Sequence, residues 1–226
     1  MNKELTTRII TSLFLIGLLT LTFFYSYILI ISLIIISLVS WIEFQGLITK
    51  IIYKKKFNSI FLRFIIKALS LIYLTTFSFM VFGGVYQDNN NLNILFLFSI
   101  CICSDVGGLF FGKIFKGKKL TKISPKKTIS GSIGSFVLSL VMVPIFIFLI
   151  TEKINIFYDL IILAVLVSFS CQVGDLFISY LKRKAKVKDT GDLLPGHGGI
   201  LDRIDGILFA IPVGLLLCKF LVVNLW

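Results

Sequence analysis

The stretch from Lys182 to Gly206 gathers the residue types that could do chemistry in this chain. It reads Lys182-Arg183, then Lys188-Asp189, Gly191, Pro195-Gly196-His197-Gly198-Gly199, Asp202-Arg203 and Asp205-Gly206. Lysine and arginine bring positive charge to phosphate oxygens, and arginine can grip them with two parallel N–H donors. Glycines such as Gly198 and Gly199 let backbone N–H groups come close to an anion. Asp202 and Asp205 stand one turn apart if the apolar run behind them is a helix. Hard carboxylate oxygens at that spacing suit Mg²⁺, which takes one or two carboxylates plus substrate phosphates. At the head of that helix, Asp202 is also placed to cap it. His197 is placed to bond a phosphate oxygen or to carry a proton; the plainer alternative is a turn residue. No Gly-x-x-x-x-Gly-Lys-Ser/Thr run is present, so the loop is not a P-loop. With one histidine and no Cys-x-x-Cys pair, no zinc site is expected. Cys101, Cys103, Cys171 and Cys218 read as thiols packed like small apolar side chains.

A second group of polar residues lies inside apolar runs. Asp105 falls within Ile100–Phe111 and Asp175 within Val173–Ile178. A carboxylate in hydrocarbon costs about 2.5–3.5 kcal/mol even on insertion scales, so such residues lean towards function. The alternative is an ion pair with a lysine of a neighbouring helix. Glu43 and Asp159 sit nearer the ends of their runs, where a side chain can reach the interface. Asp175, Ser179 and Lys182 follow at i, i+4 and i+7, one stripe on a helix. A carboxylate, a hydroxyl and an ammonium on one face can serve metal and phosphate together.

The elements that must position these groups are membrane helices. Of the 226 residues 57% are hydrophobic and 15% charged, and the mean hydropathy is +1.00. No water-soluble core hides that much Leu, Ile and Phe. Soluble domains carry about 25% charged residues. A crossing helix needs about 20 apolar residues. The runs predict about seven spans, at 9–25, 27–48, 60–82, 92–112, 133–151, 156–181 and 204–226. The first is read as a retained helix rather than a cleaved leader. Of the 23 Lys and Arg, all but Lys153 and Lys219 fall on one side of this alternation. The positive-inside rule then places the N-terminus and the loops 113–132 and 182–203 in the cytoplasm, and the C-terminus outside. The net charge of +12 therefore belongs to a membrane surface, and no nucleic-acid partner is expected. The fold expected is an all-α polytopic transmembrane bundle forming a single domain, 1–226. Within it lie N-terminal hydrophobic helices (1–99), a catalytic half (100–206) and a last helix (204–226).

The run Ser179-x-Leu181-Lys182-Arg183-x4-Lys188-Asp189-x-Gly191-x2-Leu194-Pro195-x-His197-Gly198-Gly199-Ile200-x-Asp202-Arg203-Ile204-Asp205 resembles the signature of the phosphatidate cytidylyltransferases, the CDP-diacylglycerol synthases. It holds over 27 residues without a gap. Upstream, Gly174-Asp175 and Ser124-Pro125-Lys126-Lys127-Thr128 are similar to two further family motifs, and Asp105 stands where the family has an earlier intramembrane Asp. The resemblance implies transfer of CMP from CTP to phosphatidate, giving CDP-diacylglycerol and diphosphate, at the cytoplasmic face of a bacterial plasma membrane. It implies Mg²⁺, and possible use of a second cation, held by Asp175, Asp202 and Asp205. Lys182, Arg183, Lys188 and Arg203 then contact phosphates, with Ser179, His197, Gly198 and Gly199 beside them. Asp105, Lys126 and Lys127 form a second tier. The other lysines of 113–119 face anionic lipid, at about 1 kcal/mol each. A homodimer is the expected assembly.

The chain departs from the family pattern after Thr128. An aromatic residue, Glu and Gly are usual there, and Ile129, Ser130 and Gly131 stand in their place. The N-terminal hundred residues match only in hydropathy. Two rival readings fit less well. A CDP-alcohol phosphotransferase shares the Asp202-x2-Asp205-Gly206 pattern but needs an Asp-Gly-x2-Ala-Arg element that is absent. A transporter with intramembrane acids as ion sites would show inverted repeats and would leave the basic His-Gly-Gly loop unexplained.

Overall fold

The computed structural model describes residues 17–53 (19 and 23 excepted), 57–86, 92–150, 157–193 and 198–221. It is helical throughout, with no strand among these residues beyond one isolated bridge, Lys119 to Thr128. Six long helices follow in order: α1 Ser26–Ile51, α2 Phe57–Tyr86, α3 Leu92–Phe115, α4 Ile129–Ile150, α5 Phe157–Lys184 and α6 Leu201–Leu221. The first five are long and apolar enough to cross a membrane. The protein is an all-α polytopic membrane protein. Most of the expected span at 9–25 lies outside the described residues. Its tight turn is present, because Tyr25 is extended (φ −130°, ψ 109°) and breaks the helix before α1.

Helices run beyond the apolar limits read from the sequence. α5 continues through Lys182, Arg183 and Lys184, and α3 through Lys113 to Phe115. Cations in a last turn favour the helix C-terminus and can snorkel to the interface, so the helix does not stop where apolarity does. The two basic loops are accordingly shorter than expected, 116–128 and 185–200. Each opens on a lysine in the left-handed region, Lys116 (φ 42°) and Lys186 (φ 56°). That conformation is a common helix stop and is more often filled by glycine. At Lys186 the turn is closed by Lys186 N–H to Arg183 O (3.2 Å) and Val187 N–H to Lys182 O (3.0 Å).

The chain groups into two compact units, each built from two chain segments. One comprises Met1–Tyr86 with Leu181–Ile204, the other Gln87–Tyr180 with Asp205–Trp226. In the first, α1 and α2 are joined by a Ser37–Ser78 hydroxyl pair (2.6 Å) and by Trp41 Nε1–H donating to Lys67 O (3.0 Å). Both partners turn large side chains outward, among them Ile31, Ile35, Phe64 and Phe79. That is the expected face towards lipid.

In the second unit, α3 and α4 meet through small residues. A Cβ placed on Gly107 would strike the Gly134 carbonyl, and one on Gly131 would lie 2.7 Å from Gly108 O. Membrane helices gain little from the hydrophobic effect and rely on such close backbone approach. Serines supply the polar contacts. Ser135 Oγ donates to Ser104 O (2.7 Å), and Ser104 shares a hydroxyl bond with Ser168 of α5 (3.0 Å). Apolar packing of Ile94, Leu97, Ile100, Leu163, Val167 and Ile211 fills the remainder, all almost wholly buried.

Candidate active site

The Ser-Pro-Lys-Lys-Thr segment is a shaped turn. Lys127 N–H donates to Ser124 O (3.0 Å), with Pro125 at the second position, where its fixed φ suits a β-turn. Leu120 N–H to Lys127 O (2.8 Å) and Ile129 N–H to Lys118 O (2.9 Å) tie this turn to the outgoing strand of the loop. Thr128 then caps α4, its hydroxyl accepting from Gly131 N–H (3.1 Å). Ser130, standing where the family has Glu, accepts from Gly117 N–H (3.3 Å) and pairs with Thr128 Oγ1 (3.1 Å).

The turn sends its two lysines to different places. Lys126 is exposed. Lys127 forms an ion pair with Asp175. The pairing left open for Asp175 is therefore present, although the lysine comes from a loop rather than a helix. Ser179 Oγ also donates to Asp175 (3.4 Å), so two members of the predicted stripe do meet. Asp105 lies within electrostatic reach of both Asp175 and Lys127 and accepts a weak bond from the Cys171 thiol (3.8 Å). Gln172 accepts from Ser132, and its buried Nε2 has no hydrogen-bond partner among the described residues. Gly174 packs against the Asp205 carbonyl, close enough to exclude any side chain.

The signature loop organises itself around two carboxylates in the first unit. Asp202 is largely buried, with its side chain 8% exposed. Its Oδ1 accepts from the Lys182 ammonium at 2.6 Å. Its Oδ2 accepts from Thr190 N–H (2.7 Å), Thr190 Oγ1 (3.0 Å) and Gly199 N–H (3.3 Å). Burial by itself pushes the pKa of this carboxyl up. The Lys182 ammonium and the Thr190 donors outweigh that and hold the group below the ordinary carboxylate range. All these donors precede α6 in the chain. Asp202 therefore does not cap its own helix, contrary to expectation.

The cap is Glu43. It is 7% exposed and lies near the end of α1. It accepts from Ile200 N–H (3.0 Å), Leu201 N–H (2.9 Å) and Thr190 Oγ1 (2.8 Å). The N–H of Gly199, expected to approach a substrate anion, is thus occupied by Asp202, and those of Ile200 and Leu201 by Glu43. Glu43, a weaker candidate in sequence because it stands where a side chain can snorkel, is instead a buried cap. A signal was available: no cation stands three or four residues from it on either side.

Of the remaining predicted residues, Arg183, Lys188 and Arg203 are exposed. Gly198 takes a positive φ (81°) that favours glycine, and Gly199 is buried. His197 lies outside the described residues. Among the described residues no group of three or more His, Cys, Asp or Glu is arranged to hold a metal. Mg²⁺ does not require one, because substrate phosphates complete its shell. The donor chemistry fits it: Asp175 and Asp202 each face an ammonium, and both offer only hard oxygens.

The cytidylyltransferase family model matches residues 1–221. The chain belongs to the cytidylyltransferase family. The resemblance seen in the signature loop therefore extends to the N-terminal helices as well. Among curated relatives, the phosphatidate cytidylyltransferase of Helicobacter pylori is 39% identical over 132 residues, 58% of this chain and 48% of its own length. That of Rickettsia typhi is 41% identical over 133 residues, 56% of this chain and 58% of its own. That of Staphylococcus haemolyticus is 39% identical over 136 residues, 60% of this chain and 52% of its own. The match thus covers about half of each relative's length.

Proposed function

We propose that this protein is a phosphatidate cytidylyltransferase, working from the cytoplasmic face of a bacterial plasma membrane. The observation that carries the reading is the ungapped run from Ser179 to Asp205, folded so that Lys182 and Thr190 hold Asp202. Identities of 39–41% to relatives named for that activity support it. The orientation rests on the distribution of Lys and Arg.

In the reaction, a phosphate oxygen of phosphatidate attacks the α-phosphorus of CTP. A new P–O bond forms, the bond to the β-phosphate oxygen breaks, and diphosphate leaves. Both reactants are anions, so repulsion dominates the approach. The exposed Lys126, Arg183, Lys188 and Arg203 counter it, gathering phosphate oxygens at the membrane surface. An ionised phosphatidate is a competent nucleophile, so no strong base is needed. Asp175, Asp202 and Asp205 are the residues that would hold Mg²⁺, which when bound supplies divalent charge against the triphosphate. Lys127 and Lys182 pair with Asp175 and Asp202 and aim them. Asp105 lies within electrostatic reach of Asp175.

The test is the purified protein in detergent with labelled CTP, phosphatidate and Mg²⁺. Labelled CDP-diacylglycerol is expected, with turnover abolished by EDTA and restored by Mg²⁺. No product under these conditions overturns the reading. Full turnover in chelator would give the carboxylates another task.

A further inference from the structure

We infer that Glu43 is the positioning residue of the signature loop, an internal anion on which Thr190, Gly191, Gly199, Ile200 and Leu201 close so that Asp202 is held in place. This deepens the function proposed above and rests on it for its catalytic consequence. Glu43 sits on α1, 147 residues before Thr190 and 157 before Ile200. It is buried, and among the described residues no cation pairs with it. Its charge is answered by donors from this loop: two backbone N–H groups at the head of α6 and one hydroxyl. The first turn of a helix offers unsatisfied N–H groups and the positive end of its dipole, so a carboxylate there is favoured.

Two glycines of the signature are explained by this carboxylate. A Cβ on Gly191 would lie 2.6 Å from Glu43 Oε1 and 3.0 Å from Cδ. One on Gly199 would collide with Glu43 Oε2 and Thr190 Oγ1 and come within 2.8 Å of Glu43 Cδ. The loop closes on Glu43 at both glycines, leaving no room for a side chain at either.

Thr190 links the anchor to Asp202. Its Oγ1 is 2.8 Å from Glu43 Oε2 and 3.0 Å from Asp202 Oδ2. A hydroxyl carries one proton, so the two carboxylates share it. Its backbone N–H goes to Asp202 as well. Moving Glu43 therefore shifts Thr190 and, with it, the donors that aim Asp202.

The test uses the full chain in detergent, comparing wild type with Glu43→Ala, Glu43→Gln and Thr190→Val. Trypsin cleavage after Lys186 and Lys188 reports opening of this loop. Cleavage after Lys118 and Lys122 reports the other loop in the same sample. Glu43→Ala is expected to speed the first by about tenfold or more and to leave the second unchanged, since hydrogen bonds to charged groups are the strong ones. Glu43→Gln keeps the shape and one acceptor but turns an NH₂ towards an N–H donor. It should fall between wild type and alanine. Thr190→Val, which removes only the shared hydroxyl, should act in the same direction by about threefold, and it covers the case in which Glu43→Ala does not fold. Rates within twofold of wild type at Lys186 and Lys188 in the folded variants, or equal acceleration in both loops, would overturn the inference. A second readout is the Mg²⁺ concentration for half-maximal turnover. Glu43→Gln should raise it about fivefold or more while the KM for phosphatidate stays put; a merely structural role would lower kcat alone. If wild type makes no CDP-diacylglycerol, the proposed function fails, and the cleavage rates still decide whether Glu43 holds the loop.

Discussion

Gly107→Ala should destabilise the protein far more than its single methyl suggests. The new Cβ would collide with Gly134 O, lie 2.9 Å from Gly134 C and 3.0 Å from Leu138 Cβ. The first two are backbone atoms of the partner helix, so no rotamer change relieves them. Ordinary carbon–oxygen contacts lie near 3.3–3.6 Å, which requires α3 and α4 to part by about 1 Å. Overpacking of this kind costs about 1–3 kcal/mol. The same movement stretches the bonds from Ser135 to Ser104 O (2.7 Å) and from Ser139 to Ile100 O (3.4 Å). Interhelical bonds in membranes average about 0.6 kcal/mol each. The expected total is about 2–4 kcal/mol, or a fall in Tm of about 4–16 °C at about 2–4 °C per kcal/mol. The protein carries its own reporters, because Cys101 and Cys171 are 1% and 0% exposed and react with a thiol-sensitive dye only on unfolding. Gly46→Ala is the matched control: its Cβ meets nothing within 4 Å, and alanine is the better helix former. If Gly107→Ala and Gly46→Ala melt together, the close approach of α3 and α4 does not govern stability.

Asp202→Asn should lower CDP-diacylglycerol synthesis by about 10²-fold or more, a typical loss for one charged active-site contact; near-full turnover in folded protein removes Asp202 from the site. Cysteines engineered at Lys126 and His197 should escape a membrane-impermeant reagent added to intact cells, and labelling at either reverses the orientation. The folded state lowers the Asp202 pKa, so its contribution to loop order is fully present above the unfolded value of about 3.9 and disappears as pH falls through the lower folded value. Hydrogen exchange at the Thr190 amide should therefore stay protected at pH 5 and lose protection only in stronger acid; loss of protection between pH 5 and 7 would contradict this.

The parts of the fold written in short-range pattern were legible. A run of twenty apolar residues has one low-energy fate, so α1 to α5 fall on predicted spans. The helix ends were not, because lysines and arginines continue a helix while their head groups leave the hydrocarbon, as at Lys182–Lys184. In the site, spacing on one helix placed Ser179 beside Asp175, but Lys182 found its partner on α6 rather than along its own stripe. Glu43 was the hardest to see. Its donors lie 147 to 158 residues away, and nothing local distinguishes a snorkelling carboxylate from a buried cap except the absence of a nearby cation. Glycine-rich loops are ordinarily read as making room for a substrate anion. Here Gly191 and Gly199 make room for the protein's own carboxylate, a distinction that depends on tertiary structure alone.

The two basic stretches, Lys126–Lys127 in a loop and Lys182–Arg183 at the end of α5, use one arrangement, which bears on how charge is divided in a chain of net +12. Each carries neighbouring cations, of which one is bound to an acid and the next is exposed. Lys127 is held by Asp175 while Lys126 is exposed, and Lys182 is held by Asp202 while Arg183 is exposed. A lysine and its carboxylate together cancel charge, so the bound member adds order without adding field. The exposed member adds field at the surface where the proposed reaction brings two anionic substrates together, and its position is set by the order its neighbour provides. A loop of unpaired lysines would repel itself and stay open. A loop with every lysine paired would hold its shape but attract nothing. Binding Lys127 and Lys182 to acids while Lys126 and Arg183 stay exposed answers both demands.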